Sequence, residues 1–144
     1  MTEKGEDSLS IRSCRLEDVA GVLELWQQAD ATPSVTDNAD DLQRAIADSS
    51  AHVLVAEAEA LLVGSIIGTF DGWRGNIYRL AFHPGFRRRG VARALVAEVE
   101  KKLAERGAKR ITALVEKDHP LAMNFWEAVG YRVDARIVRR VRMI

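Results

Sequence analysis

Leu80-Ala81-Phe82-His83-Pro84-Gly85-Phe86-Arg87-Arg88-Arg89-Gly90-Val91-Ala92-Arg93 is the stretch on which the reading of this chain turns. It begins in Asn76–Phe82, a short, mostly apolar run with a β-branched and an aromatic residue, which reads as a buried strand. Pro84 has no N–H and the residue before it avoids the helical region, so the chain must leave the sheet at His83. From there Val91, Leu95, Val99 and Leu103, flanked by Ala92, Ala94 and Val96, recur on one helical face. Lys101, Lys102, Glu105 and Arg106 occupy the other face, and Gly107 stops the helix. Between strand and helix lie three arginines and Gly90, whose missing Cβ lets a ligand approach the backbone. The first N–H groups of a helix have no partners within it and carry partial positive charge. Strand, basic turn and helix N-terminus together suit an anion such as a pyrophosphate.

The stretch is neither a P-loop nor a G-x-G-x-x-G dinucleotide fingerprint. Arg87-x-x-Gly90-x-Ala92, following Leu80-Ala81-Phe82, resembles the acetyl-CoA signature of the GCN5-related N-acetyltransferase (GNAT) family: Gln or Arg, two residues, Gly, one residue, then Gly or Ala. A second block supports the resemblance. Ala122-x-x-Phe125-Trp126-Glu127-x-x-Gly130-Tyr131 is similar to the family's Asn-x-x-Ala-x-x-Phe-Tyr-Glu-x-x-Gly-Phe, with His119 for the usual asparagine and Trp126 for the usual tyrosine. Asp71-Gly72-x-Arg74-Gly75 adds a likeness to small bacterial members of uncharacterised substrate.

A length of 144 residues fits one domain over the whole chain, with positions 1–8 polar and frayed. Hydrophobic residues at 47% and charged ones at 29% are ordinary for a globular protein. No apolar run approaches the roughly 20 residues that span a bilayer, and no signal-peptide core is present, so the expected compartment is the cytoplasm. One cysteine, Cys14, excludes an internal disulfide, and no metal site is expected. Its surroundings suggest a small strand residue rather than a nucleophile. The net charge of zero hides an asymmetry. Residues 1–73 hold 14 acids and 4 bases, whereas 74–144 hold 7 acids and 17 bases. The basic half coincides with the anion turn, and acidic clefts concentrate cations.

Along the chain, Leu9–Arg15 reads as a first strand and Glu17-Asp18 as the acidic first turn of a helix carrying Val19, Val22, Leu23 and Trp26. A Pro33-bearing loop precedes a short helix over Ala39–Asp48. His52–Glu57 and Leu61–Phe70 are strands joined by a tight turn at Ala58-Glu59-Ala60, and Gly64 and Gly68 point to bulges or close packing. The turn Asp71–Gly75 leads into the strand of the opening stretch. Arg110–Val115 is another buried strand, so the two form a parallel βαβ unit with the central helix. A helix begins near Pro120, with His119 or Asp118 as its cap, and Gly130 ends it. Tyr131–Ile144 reads as a final hairpin of two strands.

The resemblance implies the GNAT (acyl-CoA N-acyltransferase) fold: an α/β protein with a mixed central sheet of about six or seven strands and helices on both faces. In it the strands at 76–82 and 110–115 splay apart to admit CoA. It also implies an acetyl-CoA-dependent N-acetyltransferase acting on a primary amine by direct attack in a ternary complex. Leu80, Ala81 and Phe82 then hold the pantetheine, and the Phe82 N–H polarises the thioester carbonyl. The amides of Arg88, Arg89, Gly90, Val91 and Ala92 take the phosphates, assisted by the side chains of Arg87, Arg88, Arg89 and Arg93. His119 either contacts the pantetheine or only caps its helix, and Trp126 packs the cofactor's tail. Tyr78 is the candidate acid, sharing strand alternation with Leu80 and Phe82. A water chain ending at Tyr78, Glu116 or Asp71 is the expected route for the amine's proton. Trp26, Asp71 and Tyr78 border the acceptor.

Rival readings are an acyl-CoA-binding or sensing domain without turnover, and a nucleic-acid module prompted by the arginines. Zero net charge and the lack of aromatic interleaving argue against nucleic acid. No membrane partner is expected, and a homodimer is among the assemblies left open. The identity of the acceptor is not written in the motifs.

Overall fold

The computed structural model describes residues 9–86, 89–119 and 122–144. Positions 1–8, expected to fray, lie outside the described residues, as do Arg87, Arg88, Pro120 and Leu121. Two compact units make up the chain, Met1–Leu114 and Val115–Ile144.

The first unit is built on a sheet in the order β1 (Ser10–Ser13), β2 (Ala51–Ala58), β3 (Leu61–Phe70), β4 (Gly75–Phe82) and β5 (Ile111–Ala113). The first four strands pair antiparallel, whereas β5 pairs parallel with β4. Two strands linked by a helix therefore lie side by side, as the βαβ reading requires. Four residues of β2 in succession, Val53 to Ala56, are buried, so this strand is covered on both faces.

On one face lie α1 (Val19–Gln28) and α2 (Ala39–Ala47). Val22, Trp26 and Leu42 from these helices join Val53, Val55 and Ala81 from the sheet in one apolar cluster with Cys14. On the opposite face lies α3 (Val91–Arg106), which buries Val91, Leu95, Val99 and Leu103, the stripe read from the sequence. Gly64 and Gly68 of β3 are what let α3 approach so closely. A Cβ on Gly64 would stand 2.6 Å from Val91 Cγ1 and 2.8 Å from Leu95 Cδ1. One on Gly68 would overlap Val99 Cγ2. Gly107, at φ +109°, ends α3 in the left-handed conformation as expected.

The tight turn between β2 and β3 places Glu59 and Ala60 at φ +55° and +65°, both left-handed. That is the twist a two-residue hairpin needs, adopted here without the usual glycine.

Asp18, the residue just before α1, also has a structural task. Asp18 receives two hydrogen bonds from the Arg12 guanidinium, at 2.7 and 3.1 Å, and one from the Arg15 N–H at 2.8 Å. Arg12 reaches Glu57 on β2 as well, at 3.1 Å. The Arg12 hydrogen bonds hold the Asp18 carboxyl below its usual range. Such a depressed acid contributes stability that is present above its unfolded pKa, about 3.9, and is lost as pH falls through the folded value. Asp18→Asn should therefore cost about 1–3 kcal/mol at pH 7. Denaturant unfolding of the two proteins should show that gap narrowing at pH 3; an unchanged gap would mean that charge is not its cause.

Two expectations are corrected. The sheet has five strands among the described residues, not six or seven. Tyr131–Ile144 forms no strand; Asp134 and Arg136 make a local turn there, and Val133, Ile137, Val138 and Val141 are exposed. Val138 and Val141 are three positions apart, so a strand would send them to opposite faces. The second unit contains α4 (Ala122–Ala128), where Trp126 is buried with its ring edge-on to Phe125 and Tyr131, at 5.3 and 5.0 Å.

Candidate active site

Strand β4 outruns its parallel partner. The register pairs Gly75 with Ile111, Asn76 with Thr112 and Ile77 with Ala113, and the Leu114 N–H reaches Ile77 O at 3.1 Å. No described residue of β5 pairs with β4 beyond Ile77, so Tyr78–Phe82 extend past the end of β5. At the far end His83 donates its N–H to Val63 O of β3, at 2.8 Å. Successive strand amides point to opposite edges, so the Phe82 N–H is directed away from β3, toward the open side.

A bulge interrupts β4 just before this point. Ser65 pairs with Ala81 but Ile67 pairs with Tyr78, so β4 has one more residue than β3 between those pairs. Arg79 takes up the excess at φ +55°. Side chains opposite one another share a face, so Tyr78 and Ala81 lie on the α1 face with Ile67 and Ser65. Phe82, opposite Gly64, faces α3. The expectation that Tyr78 shares a face with Phe82 is thus corrected: the bulge reverses the strand's alternation between them. Tyr78 is 36% exposed, while Leu80 and Phe82 are half-buried.

After β4, Pro84–Phe86 makes one tight helical turn, held by the Phe86 N–H to His83 O at 2.9 Å. Arg89 lies over the Phe86 ring at 4.7 Å and pairs with Glu59 at 3.1 Å. Gly90, at φ +79° and ψ 10°, is the N-cap of α3, and no side chain caps this end. A Cβ at Gly90 would meet nothing within 4 Å, so the residue is open toward any incoming group. Val91 and Ala92 bury their side chains in the core, which leaves only their backbone to an anion; Arg93 is exposed. Arg87 and Arg88, expected at the phosphates, lie outside the described residues.

Other candidates are placed elsewhere. Trp26 is 5% exposed and donates its indole N–H to Ser65 Oγ at 2.9 Å, so it is a satisfied core residue. The Asp71 carboxylate accepts the N–H groups of Trp73 and Arg74 at 2.9 and 2.8 Å, making the β3–β4 turn. Those bonds hold its pKa below the usual carboxylate range, the wrong direction for a base. This turn precedes β4 while the anion turn follows it, roughly 25 Å away at ~3.3 Å per strand residue. Glu116, His119 and Trp126 belong to the second unit, where the His119 N–H reaches Glu116 O at 3.3 Å. Cys14 is buried, and burial pushes its thiol up to about 11, consistent with a packing role. Among the described residues no group of three or more His, Cys, Asp and Glu could hold a metal ion. No described helix is long and apolar enough to cross a membrane.

The acetyltransferase (GNAT) family pattern matches residues 19–131, from the start of α1 through the second block. The chain belongs to the GNAT family of acetyltransferases. An acetyltransferase of Pectobacterium atrosepticum is 35% identical over 136 residues, covering 94% of this chain and 96% of the relative. Among solved structures, the PaiA N-acetyltransferase of Thermoplasma acidophilum in complex with coenzyme A superposes with a TM-score of 0.79. It is 19% identical, over 88% of this chain and 91% of that one. An aminoglycoside acetyltransferase from an uncultured soil metagenomic sample, in complex with sisomicin, gives 0.74 at 18% identity over 94% and 96%. Such distant likenesses establish the shared GNAT fold, with its open mixed sheet.

Among residues near the site, sequence reading missed Arg79. Nothing in residues 76–82 announces a bulge, because a bulge is a property of two strands in register.

Proposed function

We propose that the protein transfers an acetyl group from acetyl-CoA to a primary amine of a cationic acceptor, by direct attack while both substrates are bound. The observation that carries this reading is the conjunction at one end of β4. There a strand edge without a partner among the described residues, with the Phe82 N–H directed outward, is followed eight positions later by a helix N-terminus at Gly90 with no side-chain cap. The CoA complex of the Thermoplasma fold relative supports the choice of cofactor.

In this reading the amides of the Gly90 turn and the first turn of α3 bind the phosphates, with Arg89 and Arg93 beside them. The edge of Leu80–Phe82 holds the pantetheine as an added strand would, and the Phe82 N–H stabilises the oxyanion formed as the amine attacks. The family resemblance alone assigns Trp126 to the cofactor's tail and leaves His119 between a pantetheine contact and a helix cap. An amine of the lysine type has a pKa of about 10.4 and must first lose a proton. Asp71 is a poor recipient, since its oxygen already accepts two backbone donors. A water chain toward Tyr78 or Glu116 therefore remains the proposed route. The departing thiolate has an ordinary pKa near 8.5 and leaves without a strong acid.

Two measurements test the reading. Thiol release from acetyl-CoA is followed with spermidine, sisomicin, lysine amide and neutral benzylamine across ionic strength. Higher kcat/KM for the polycations, falling with salt, is expected from the acidic N-terminal half; equal values without salt dependence overturn the cationic acceptor. CoA-dependent stabilisation without turnover of any amine would favour a binding module instead.

The second concerns the leaving group. Trp126→Phe should retain kcat within a few-fold, because no side-chain acid is needed, and Trp126→Ala should lose cofactor affinity. Tyr78→Phe should retain kcat likewise if the water chain ends at Glu116; a fall of about 10²-fold in kcat, at unchanged KM for acetyl-CoA, would instead place a proton transfer on Tyr78.

A further inference from the structure

We infer that Arg79 is a positioning residue that ties the loop between α1 and α2 to the bulge of β4 and thereby sets acceptor selection; this rests on the transferase reading above. Arginine is an unexpected residue at φ +55°, since a bulky side chain is strained in the left-handed region. Strain of this kind persists where its surroundings over-determine it. Here they do. The guanidinium donates to Thr32 O at 2.8 Å and to the Asp37 carboxylate, and it lies over the Trp26 ring at 5.1 Å. Asp37 in turn accepts the Ser34 N–H at 2.9 Å, so one oxygen gathers the loop and the arginine together. Both partners of the pair are largely shielded, with side-chain exposures of 18% and 19%. Trp26, underneath, is fixed by its bond to Ser65, the residue opposite Ala81 on β4.

The location argues for the acceptor rather than the cofactor. The tether and its loop lie on the α1 face, whereas the Gly90 turn opens a helix packed on the other face. Arg79 itself stands between Tyr78 and the Leu80–Phe82 edge. A thioester held along that edge, with its phosphates at α3, leaves the α1 side for an attacking amine. A loop clamped there by the guanidinium, whose Nη2 makes both bonds, forms a wall of fixed position, and lysine has no flat group to lie over Trp26.

Arg79→Gly separates the tether from the bulge, because glycine accepts this backbone without strain. Asp37→Asn weakens the same link from the loop side by removing its charge, leaving β4 untouched and an amide oxygen for Ser34. Arg79→Lys keeps charge alone. The acceptor probe is whichever of spermidine, sisomicin and benzylamine the parent acetylates fastest. All three variants should raise its KM, Arg79→Gly by about tenfold, with the KM for acetyl-CoA within twofold of the parent. Hydrogen exchange without substrates should speed up at residues 31–37 in Arg79→Gly while β2 and β3 amides stay protected. Unchanged acceptor KM in both Arg79→Gly and Asp37→Asn, or both KM values moving together, overturns the assignment. So does unaltered loop exchange. A parent that acetylates none of the amines overturns the transferase reading instead, a result seen without any variant.

Discussion

Gly90→Glu is expected to abolish the stabilisation that CoA confers, leaving the free protein folded. The substitution has two effects. Gly90 sits at φ +79°, where a residue with a Cβ is strained by about 1–2 kcal/mol. A carboxylate there would also stand beside the incoming phosphates. Like charges 4 Å apart repel by about 4 kcal/mol at an effective dielectric constant near 20. At 1.4 kcal/mol per tenfold, the repulsion alone corresponds to a loss of more than a hundredfold in affinity, while the strain lowers the stability of the free and bound forms alike. The fold survives because the space around a Cβ at this position is open and an acid is favourable at a helix N-terminus. A thermal or denaturant assay at ~100 times the parent's Kd should show about 2.7 kcal/mol of ligand stabilisation in the parent and none in the variant. Gly90→Asn is the control, since asparagine visits the left-handed region and carries no charge; it should keep most of the effect. Parental affinity in Gly90→Glu would place the phosphates elsewhere.

That prediction was legible in the sequence because every part of it is local. A strand, a proline exit, a basic turn and a capped amphipathic helix follow one another within residues 76–107, each stated by its own residues. The parallel pairing of β4 with β5 follows from the same stretch, since chirality and connection length leave little else. What was not legible depends on pairs far apart in sequence. Arg79 finds Asp37 and Thr32 through a bulge that exists only against β3, and Tyr78 changes face for the same reason. Trp26 looked like a cleft residue until its indole met Ser65, and Asp71 looked like a free carboxylate until its turn closed on it. The expected hairpin at 131–144 failed differently: mixed arginine and valine positions hint at a strand, but a strand also needs a neighbour's backbone, and sequence alone does not supply one.

Gly64→Ala should weaken both the fold and the cofactor site, and comparison with Gly68→Ala shows why. Both glycines lie on the face of β3 under α3, and a methyl group at either one meets a side chain of that helix. At Gly64 the methyl would sit 2.6 Å from Val91 Cγ1, 2.8 Å from Leu95 Cδ1 and 3.3 Å from Ala81 O. Leucine can turn aside, but Val91 is β-branched and Ala81 O is backbone, so the helix must lift. Overpacking of this kind costs about 1–3 kcal/mol, or roughly 4–12 °C in Tm for a chain of this size. Gly68→Ala should cost about as much, because its methyl overlaps Val99 Cγ2. The two differ in what moves. Val91 is the first residue of α3 and follows Gly90, so lifting it displaces the amides proposed to bind phosphate. Val99 lies eight residues further on, about 12 Å along the helix at 1.5 Å per residue. Gly64→Ala is thus expected to weaken CoA binding about tenfold by calorimetry, and Gly68→Ala to leave it within twofold. Equal losses of affinity would show that binding follows global stability, and equal retention would detach the first turn of α3 from the site.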